Sequence, residues 1–378
     1  MEEITKRYKY RIYPNKSQRE YLAHNFGFAR YAYNWALAHR TSLYQETGNG
    51  ISHSALDKAW NEYKPSIDWL DKYHSSVVAQ QTIQDLDKAF SRFFQKKANY
   101  PRFKKKSSRQ SMSYTRKNFS VKNGALYLPK NQTPIKVAWS RDLPDTYKSV
   151  TITQDSSGRY FASFPCLIEY EPFPKSEESV GIDLGIKNYA TMSDGSVVDL
   201  PKSLVKINKQ IARAQRNLSK KKKGSANRTK ARIKLAKLYA RQSDIRNDFL
   251  HKLTTSIVRE NQVIAIEDLD VKGLYRINGR NMNQKIQASS FNTFRVMLKS
   301  KAEQHNRECI IVDRYFPSSK MCNNCYSINH DLKLSDRNWT CSNCNTRLDR
   351  DLNASLNILA RGMQESINAH GDNVILAN

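Results

Sequence analysis

No stretch of this 378-residue chain approaches the roughly 20 consecutive apolar residues needed to cross a bilayer. The opening MEEITKRYKY has no apolar segment behind its charges, so neither a membrane span nor a secretory leader is expected, and the cytoplasm is the expected compartment. Solenoid-type repeats and low-complexity tails are also missing. Acidic residues are scarce, 35 Asp and Glu against 63 Lys and Arg, which leaves a formal net charge of +28. Hydrophobic residues at 39% and aromatics at 10% exclude wholesale disorder despite that charge. The length suits two or three domains with a sizeable core.

An excess of positive charge this large, spread over several segments, calls for a polyanion. Nucleic acid is the economical partner, because neutralising phosphates releases counterions. A membrane surface fits less well, since no basic amphipathic helix carries a Trp/Phe-rich apolar face.

Of six cysteines, four form two CxxC knuckles, Cys322/Cys325 and Cys341/Cys344. Two thiolates at that spacing bind one ion from a tight turn, and two such turns complete a tetrahedral zinc site. Disulfides or a redox CxxC are the competing readings; with no secretory leader expected, the thiols are expected to stay reduced, and a redox pair leaves the second knuckle unexplained. With four sulfur ligands the site is closed, hence structural. Cys166 and Cys309 lie in apolar strand-like runs and read as core residues.

Along the chain, residues 1–13 alternate charged with aromatic or β-branched residues and read as a strand that Pro14 ends. Leu22, Phe26, Ala29, Tyr33 and Ala36 then mark an amphipathic helix, broken at Gly48 and Gly50, with further helix through roughly 53–98. KSVTITQDSSGRYFASF reads as a hairpin turning at DSSG, and EPFPKSEES (171–179) as a linker. Beyond it come strands in VGIDLGIKNYATMSDGSVVDL, a long helical pair, a strand VIAIE, a helix near 288–306, a strand CIIVD and a closing helix from DRDLNASLNILARGM. Residues 201–250 hold 16 Lys and Arg but only two acids, Asp244 and Asp248. An ordinary solvated face mixes signs, so this pair is expected to touch phosphates.

Three acids interrupt apolar runs where a carboxylate is costly unless paired. Asp183 sits inside VGIDLGI between Gly181 and Gly185, Glu267 ends VIAIE, and Asp351 opens the final helix with its Leu352, Leu356 and Leu359. Asp351 taken alone reads as a helix-start residue and Glu267 as a strand-end residue. Asp268 and Asp349 are their immediate rivals. Together, carboxylates on two strands and a terminal helix match the parts of a two-metal phosphodiester hydrolase. Such an enzyme needs a pair of hard cations, and about three convergent carboxylates suffice for Mg²⁺.

The order of RIYPNKSQ, YPRFKKK, GIDLGIKNYA, KKKKGSA, DFLHKLTT, IEDL, YFPSSKMCNNC, WTCSNC and LDRDLNASLNI resembles the TnpB family over nearly the full length. These are RNA-guided nucleases of insertion-sequence transposons, related to type V CRISPR effectors. The resemblance implies an α/β RNase H-like (RuvC) nuclease domain over 178–317 and 349–378, with basic bridging helices at 201–250. It implies a zinc ribbon at 318–348, a wedge-like β-barrel from 1–13 and 107–172, and a helical recognition lobe at 14–106. It implies catalysis by Asp183, Glu267 and Asp351 holding two Mg²⁺ ions, with one structural Zn²⁺ on Cys322, Cys325, Cys341 and Cys344. A monomeric ribonucleoprotein would hold a transposon-end guide RNA and cleave double-stranded target DNA beside a short adjacent motif. Gln80, Thr115 and Arg116 match positions that read that motif, Gln suiting adenine and Arg guanine. Lys220, Lys221, Lys222, Lys223 and Arg228 would contact backbone phosphates. A guided repressor that binds without cutting, a compact type V CRISPR effector, and a DNA-only transposase or junction resolvase are the alternatives.

Overall fold

A computed structural model describes residues 2–70, 74–271, 273, 289–333 and 335–370. These fall into two compact units, drawn from Met1–Tyr170 with Arg232–Lys237 and from Glu171–Ala231 with Leu238–Asn378.

The first unit is built on a curled seven-stranded sheet. Strand β1 (Glu2–Tyr13) pairs antiparallel along its length with β7 (Tyr160–Tyr170), from Glu2↔Tyr170 to Ile12↔Tyr160. Its alternation does what period two requires: Tyr10 and Ile12 are buried while Lys9 and Tyr13 are exposed. The hairpin expected at DSSG joins β6 (Ser149–Gln154) to β7, and Asp155 organises its turn by accepting from the Ser157 and Arg159 amides. With β2 (Gln110–Thr115), β3 (Ser120–Lys122), β4 (Ala125–Tyr127) and β5 (Ile135–Ala138), the order is β2-β6-β7-β1-β5-β4-β3. Between β1 and β2 lie α1 (Lys16–Thr47), α2 (His53–Tyr63) and α3 (Ser76–Phe94). Asn15 and Gln18 form a reciprocal capping box at the start of α1, and Gly48, at φ 68°, closes it in the left-handed conformation. All five stripe positions read from the sequence, Leu22 to Ala36, are buried.

The second unit is a five-stranded sheet, β10-β9-β8-β11-β12, covered on both faces. Its strands are β8 (Ser179–Leu184), β9 (Ala190–Met192), β10 (Val197–Val198), β11 (Val263–Glu267) and β12 (Glu308–Val312). β8, β11 and β12 run parallel, while β9 and β10 extend the edge antiparallel. Two helices follow β10, α4 (Lys202–Ser219) and α5 (Ala226–Glu260); α6 (Phe291–Gln304) precedes β12. Val180, Ile182, Ile264 and Ile266 pack with Leu250, Ile257 and Val258 of α5 and Phe294 and Leu298 of α6. A two-stranded sheet of β13 (Asn338–Thr340) and β14 (Arg347–Asp349) leads into α7 (Arg350–His370) on the opposite face.

The final helix does not bury the leucine stripe its sequence suggests. Leu352, Leu356 and Leu359 are half-buried, whereas Asn353, Ala354, Ser355, Asn357 and Ile358 are buried. The reason is close backbone approach: a Cβ on Gly181 of β8 would stand 2.1 Å from the Ser355 carbonyl oxygen and 2.6 Å from the Leu359 nitrogen. Gly181 therefore admits the helix backbone itself. Gly181→Ala is expected to push α7 off the sheet, costing about 1–3 kcal/mol or more, as overpacking against rigid backbone does. Urea unfolding of the two proteins measures it.

Candidate active site

The two strand carboxylates are brought together by register. The pairing Ile266↔Ile182 in parallel strands sets Glu267 beside Asp183, about 4.8 Å apart in the hydrogen-bonding direction. Since Val180, Ile182, Ile264 and Ile266 fill the α5–α6 face, alternation turns Gly181, Asp183, Ala265 and Glu267 to the other face, where α7 lies. Both acids stand at the carboxyl ends of their strands, where open α/β sheets bind ligands. Asp351 arrives from the first turn of α7.

Asp183 feels the charges of both other acids. Burial first, and then the charges of Glu267 and Asp351, hold the Asp183 carboxyl well above the usual range, against the partial relief of Arg350 and Arg337. Burial also pushes Glu267 up to about 7, opposed by a backbone hydrogen bond from Leu184. The two rivals have other work. Asp349 caps α7, accepting from the amides of Asp351 at 3.0 Å and Leu352 at 2.9 Å. Asp268 is ion-paired to both Arg295 and Arg314.

Sequence reasoning missed the arginines of the site. Arg337, one residue before β13, donates to Asp351 at 2.6 Å, and Arg350 donates to its other oxygen at 3.0 Å. The backbone of Arg350 also donates to the Arg337 carbonyl at 2.7 Å, tying the β13–β14 hairpin to the helix start. Nor did sequence show that Asn353 and Asn357, one turn apart on α7, both donate at 2.7 Å to the Met321 carbonyl beside the first knuckle. Asn353 accepts the Asn323 amide inside that knuckle at 2.9 Å. Two amides at i and i+4 interrupting a buried face were the available signal.

Two groups can be tested as metal sites. The four knuckle cysteines place all their sulfurs within 4.8 Å of one another, with Cys322–Cys344 and Cys325–Cys341 both at 3.6 Å. A tetrahedron with metal–sulfur bonds of about 2.3 Å has edges of about 3.8 Å, whereas a disulfide needs about 2.05 Å. The cysteines are free and fit zinc. The Ser327 hydroxyl helps draw the Cys325 thiol down to about 5, while burial pushes Cys322 up to about 11. The carboxylates fit hard divalent cations by donor type and by a negative charge that two arginines only partly offset. Arginine holds both oxygens of Asp351, and Oδ2, which accepts only from Arg337, keeps a lone pair for a cation.

The elevated carboxyls carry a pH signature. Glu267 binds its proton more tightly folded, at about 7, than its ordinary value of 4.5 allows. The stability this gives the metal-free protein is full below pH 4.5 and fades as pH rises through 7. Metal-free melting temperature should fall from pH 5 to pH 8, and added Mg²⁺ should restore it only at the upper end. Scanning calorimetry across that range checks the sign.

The candidate nucleic-acid residues are spread over both units. Gln80 is exposed on α3. Thr115 ends β2 and accepts from Asn118 at 2.7 Å; Arg116 pairs with Asp145 at 2.9 Å and lies 3.8 Å from the centre of the Tyr147 ring. Lys220, Lys222 and Lys223 are exposed between α4 and α5, and Lys221 is half-buried. Arg228 instead turns back on that connection, donating to the carbonyls of Leu218 at 3.0 Å and Lys221 at 2.8 Å.

Residues 155–278 match the family model described as "Probable transposase", residues 291–358 that described as "Cas12f1-like, TNB domain", and residues 1–49 that described as "Helix-turn-helix domain". Across 99% of its length the chain is 41% identical to a "Putative RNA-guided DNA endonuclease" of Streptomyces pristinaespiralis, spanning 93% of that protein. The chain belongs to the TnpB family. A second TnpB relative, "Putative RNA-guided DNA endonuclease InsQ" of Escherichia coli (strain K12), is 29% identical over 94% of this chain and 92% of its own. A chain from the cryo-EM structure of a Cas12f1–sgRNA–target DNA complex shares the fold, with TM-score 0.58 and 15% identity over 91% of this chain and 83% of that one. Despite the description of its matching model, the amino-terminal TnpB segment forms one strand and one long helix, β1 and α1. Among the described residues no helix is long and apolar enough to cross a membrane.

Proposed function

We propose that this chain is an RNA-guided DNA endonuclease whose RuvC-type centre is Asp183, Glu267 and Asp351. The observation that carries the reading is that Asp183 and Glu267 end adjacent parallel strands on the face where α7 lies, with Asp183 raised by burial first and then by the charges of Glu267 and Asp351. Two divalent cations, Mg²⁺ by preference for oxygen ligands, would activate water and stabilise the leaving oxygen when bound. Asp183 and Glu267 on adjacent strands offer oxygens to such a pair, and Asp351 completes the set from α7. The four cysteines hold one structural zinc.

Guide pairing delivers sequence specificity, so the protein mainly needs cationic surface for backbones and a small patch for the adjacent motif. Exposed Lys220, Lys222 and Lys223, with Lys221, supply the first, and Gln80, Thr115 and Arg116 the second. The layout proposed is a wedge-like barrel from 1–13 and 107–172 carrying a recognition lobe at 14–106, then a nuclease domain bridged by 201–250 and interrupted by the ribbon at 318–348. Purified protein should carry RNA, and that RNA, once sequenced, should name a DNA duplex that the complex cuts in Mg²⁺. A nucleic-acid-free preparation that cuts equally well would instead make it a DNA-only nuclease.

A further inference from the structure

Beside Glu267 lies a cleft of about 500 Å³ whose walls include Asp268, Asn292, Arg295 and Arg314. Asp268 there holds two arginines. Arg295 of α6 reaches one oxygen, and Arg314, two residues beyond β12, reaches the other through Nη2 and through Nε at 3.1 Å. Arg295 also donates to Asn292 at 3.3 Å. Each guanidinium has five N–H groups in a fixed fork, so these bonds leave donors over on both. Both stay partly open to solvent, with side chains 30% and 42% exposed. Glu267 and Asp270 also line the cleft, so its carboxylates outnumber its guanidiniums, and the spare arginine donors are what can hold an anionic strand there.

We infer that Arg295 and Arg314, oriented by Asp268, form a phosphate clamp that seats a phosphodiester of the DNA strand against the carboxylate centre. This deepens the nuclease reading and rests on it. Planar forks match phosphate oxygens two at a time, which a lysine point charge does not. Asp268 acts as a positioning residue: it fixes the forks and prevents them from swinging onto Glu267, which would displace cations.

The test is single-turnover cleavage of a pre-bound target across a KCl series. Arg295→Ala and Arg314→Ala should each slow cleavage about 10- to 100-fold, as loss of a charge-assisted phosphate contact does. Each should also flatten the dependence of log target affinity on log salt, measured over the same series, by about 0.7–0.9, the share of one phosphate. Arg314→Lys should recover the salt dependence but only part of the rate, and Asp268→Asn should slow cleavage without flattening it. Slowed cleavage with unchanged salt dependence, and no recovery by Lys, would reduce the trio to a structural brace and overturn the clamp. Should the wild type fail to cut at all, the nuclease reading falls separately; binding of a single-stranded DNA oligonucleotide to wild type and Arg314→Ala, by anisotropy over the same salts, then decides the clamp.

Discussion

Asp183→Ala will leave a protein that keeps its guide RNA and binds target DNA but cuts it slower by a factor on the order of 10³ or more, the scale at which loss of a key charge-stabilising group is felt. The substitution carries a second, opposite sign. In the metal-free protein Asp183 is a buried acid facing two others, so its removal relieves like-charge repulsion and desolvation. A gain of about 1 kcal/mol would raise the melting temperature by roughly 2–4 °C. Loss of cutting together with unchanged RNA retention and equal or higher thermal stability identifies a functional acid. A drop in stability would mark Asp183 as an ordinary core residue and withdraw it from the site.

Loss of the zinc should have the other large effect, and further from the ribbon than a purely structural ion suggests. Cys322→Ser removes one of four thiolates, and structural zinc supplies an apparent 10–16 kcal/mol or so to small zinc-stabilised modules, so the ribbon should unfold. That ribbon carries Arg337, which holds Asp351, and the knuckle that Asn353 and Asn357 grip from α7. The variant should therefore purify without its zinc and lose cleavage at least tenfold, while Lys220 to Lys223, on the α4–α5 connection, continue to support RNA binding. Zinc content by mass spectrometry beside a cleavage assay checks both parts. Full activity without zinc would disconnect the ribbon from Asp351.

Much of this site could be read from residues whose local pattern is self-sufficient. Asp183 and Glu267 stand out because they interrupt apolar strands, and the CxxC spacing carries its own geometry. The α1 stripe was legible for the same reason: period 3.6 needs no partner to be seen. What stayed hidden were pairings across distance in the chain. Arg337 with Asp351, and Arg314 with Asp268 across 46 positions, have no periodicity, and a surplus of arginine makes any one of them anonymous. The leucines of α7 misled because a helix seated on Gly181 must present small side chains to the sheet, which hydrophobicity alone does not encode.

The order of these parts has a consequence for synthesis. Asp183 is made early in its unit, but Asp351 comes only after the ribbon, on the helix whose backbone must settle onto β8. At about 5–20 residues per second, a ribosome takes on the order of 10–30 s between the two. From Glu267 onward the nascent chain already presents its polycationic helices, yet carries only two of its three acids. A translating chain can thus gather nucleic acid before it is able to sever any, and a message broken in that window yields a harmless binder.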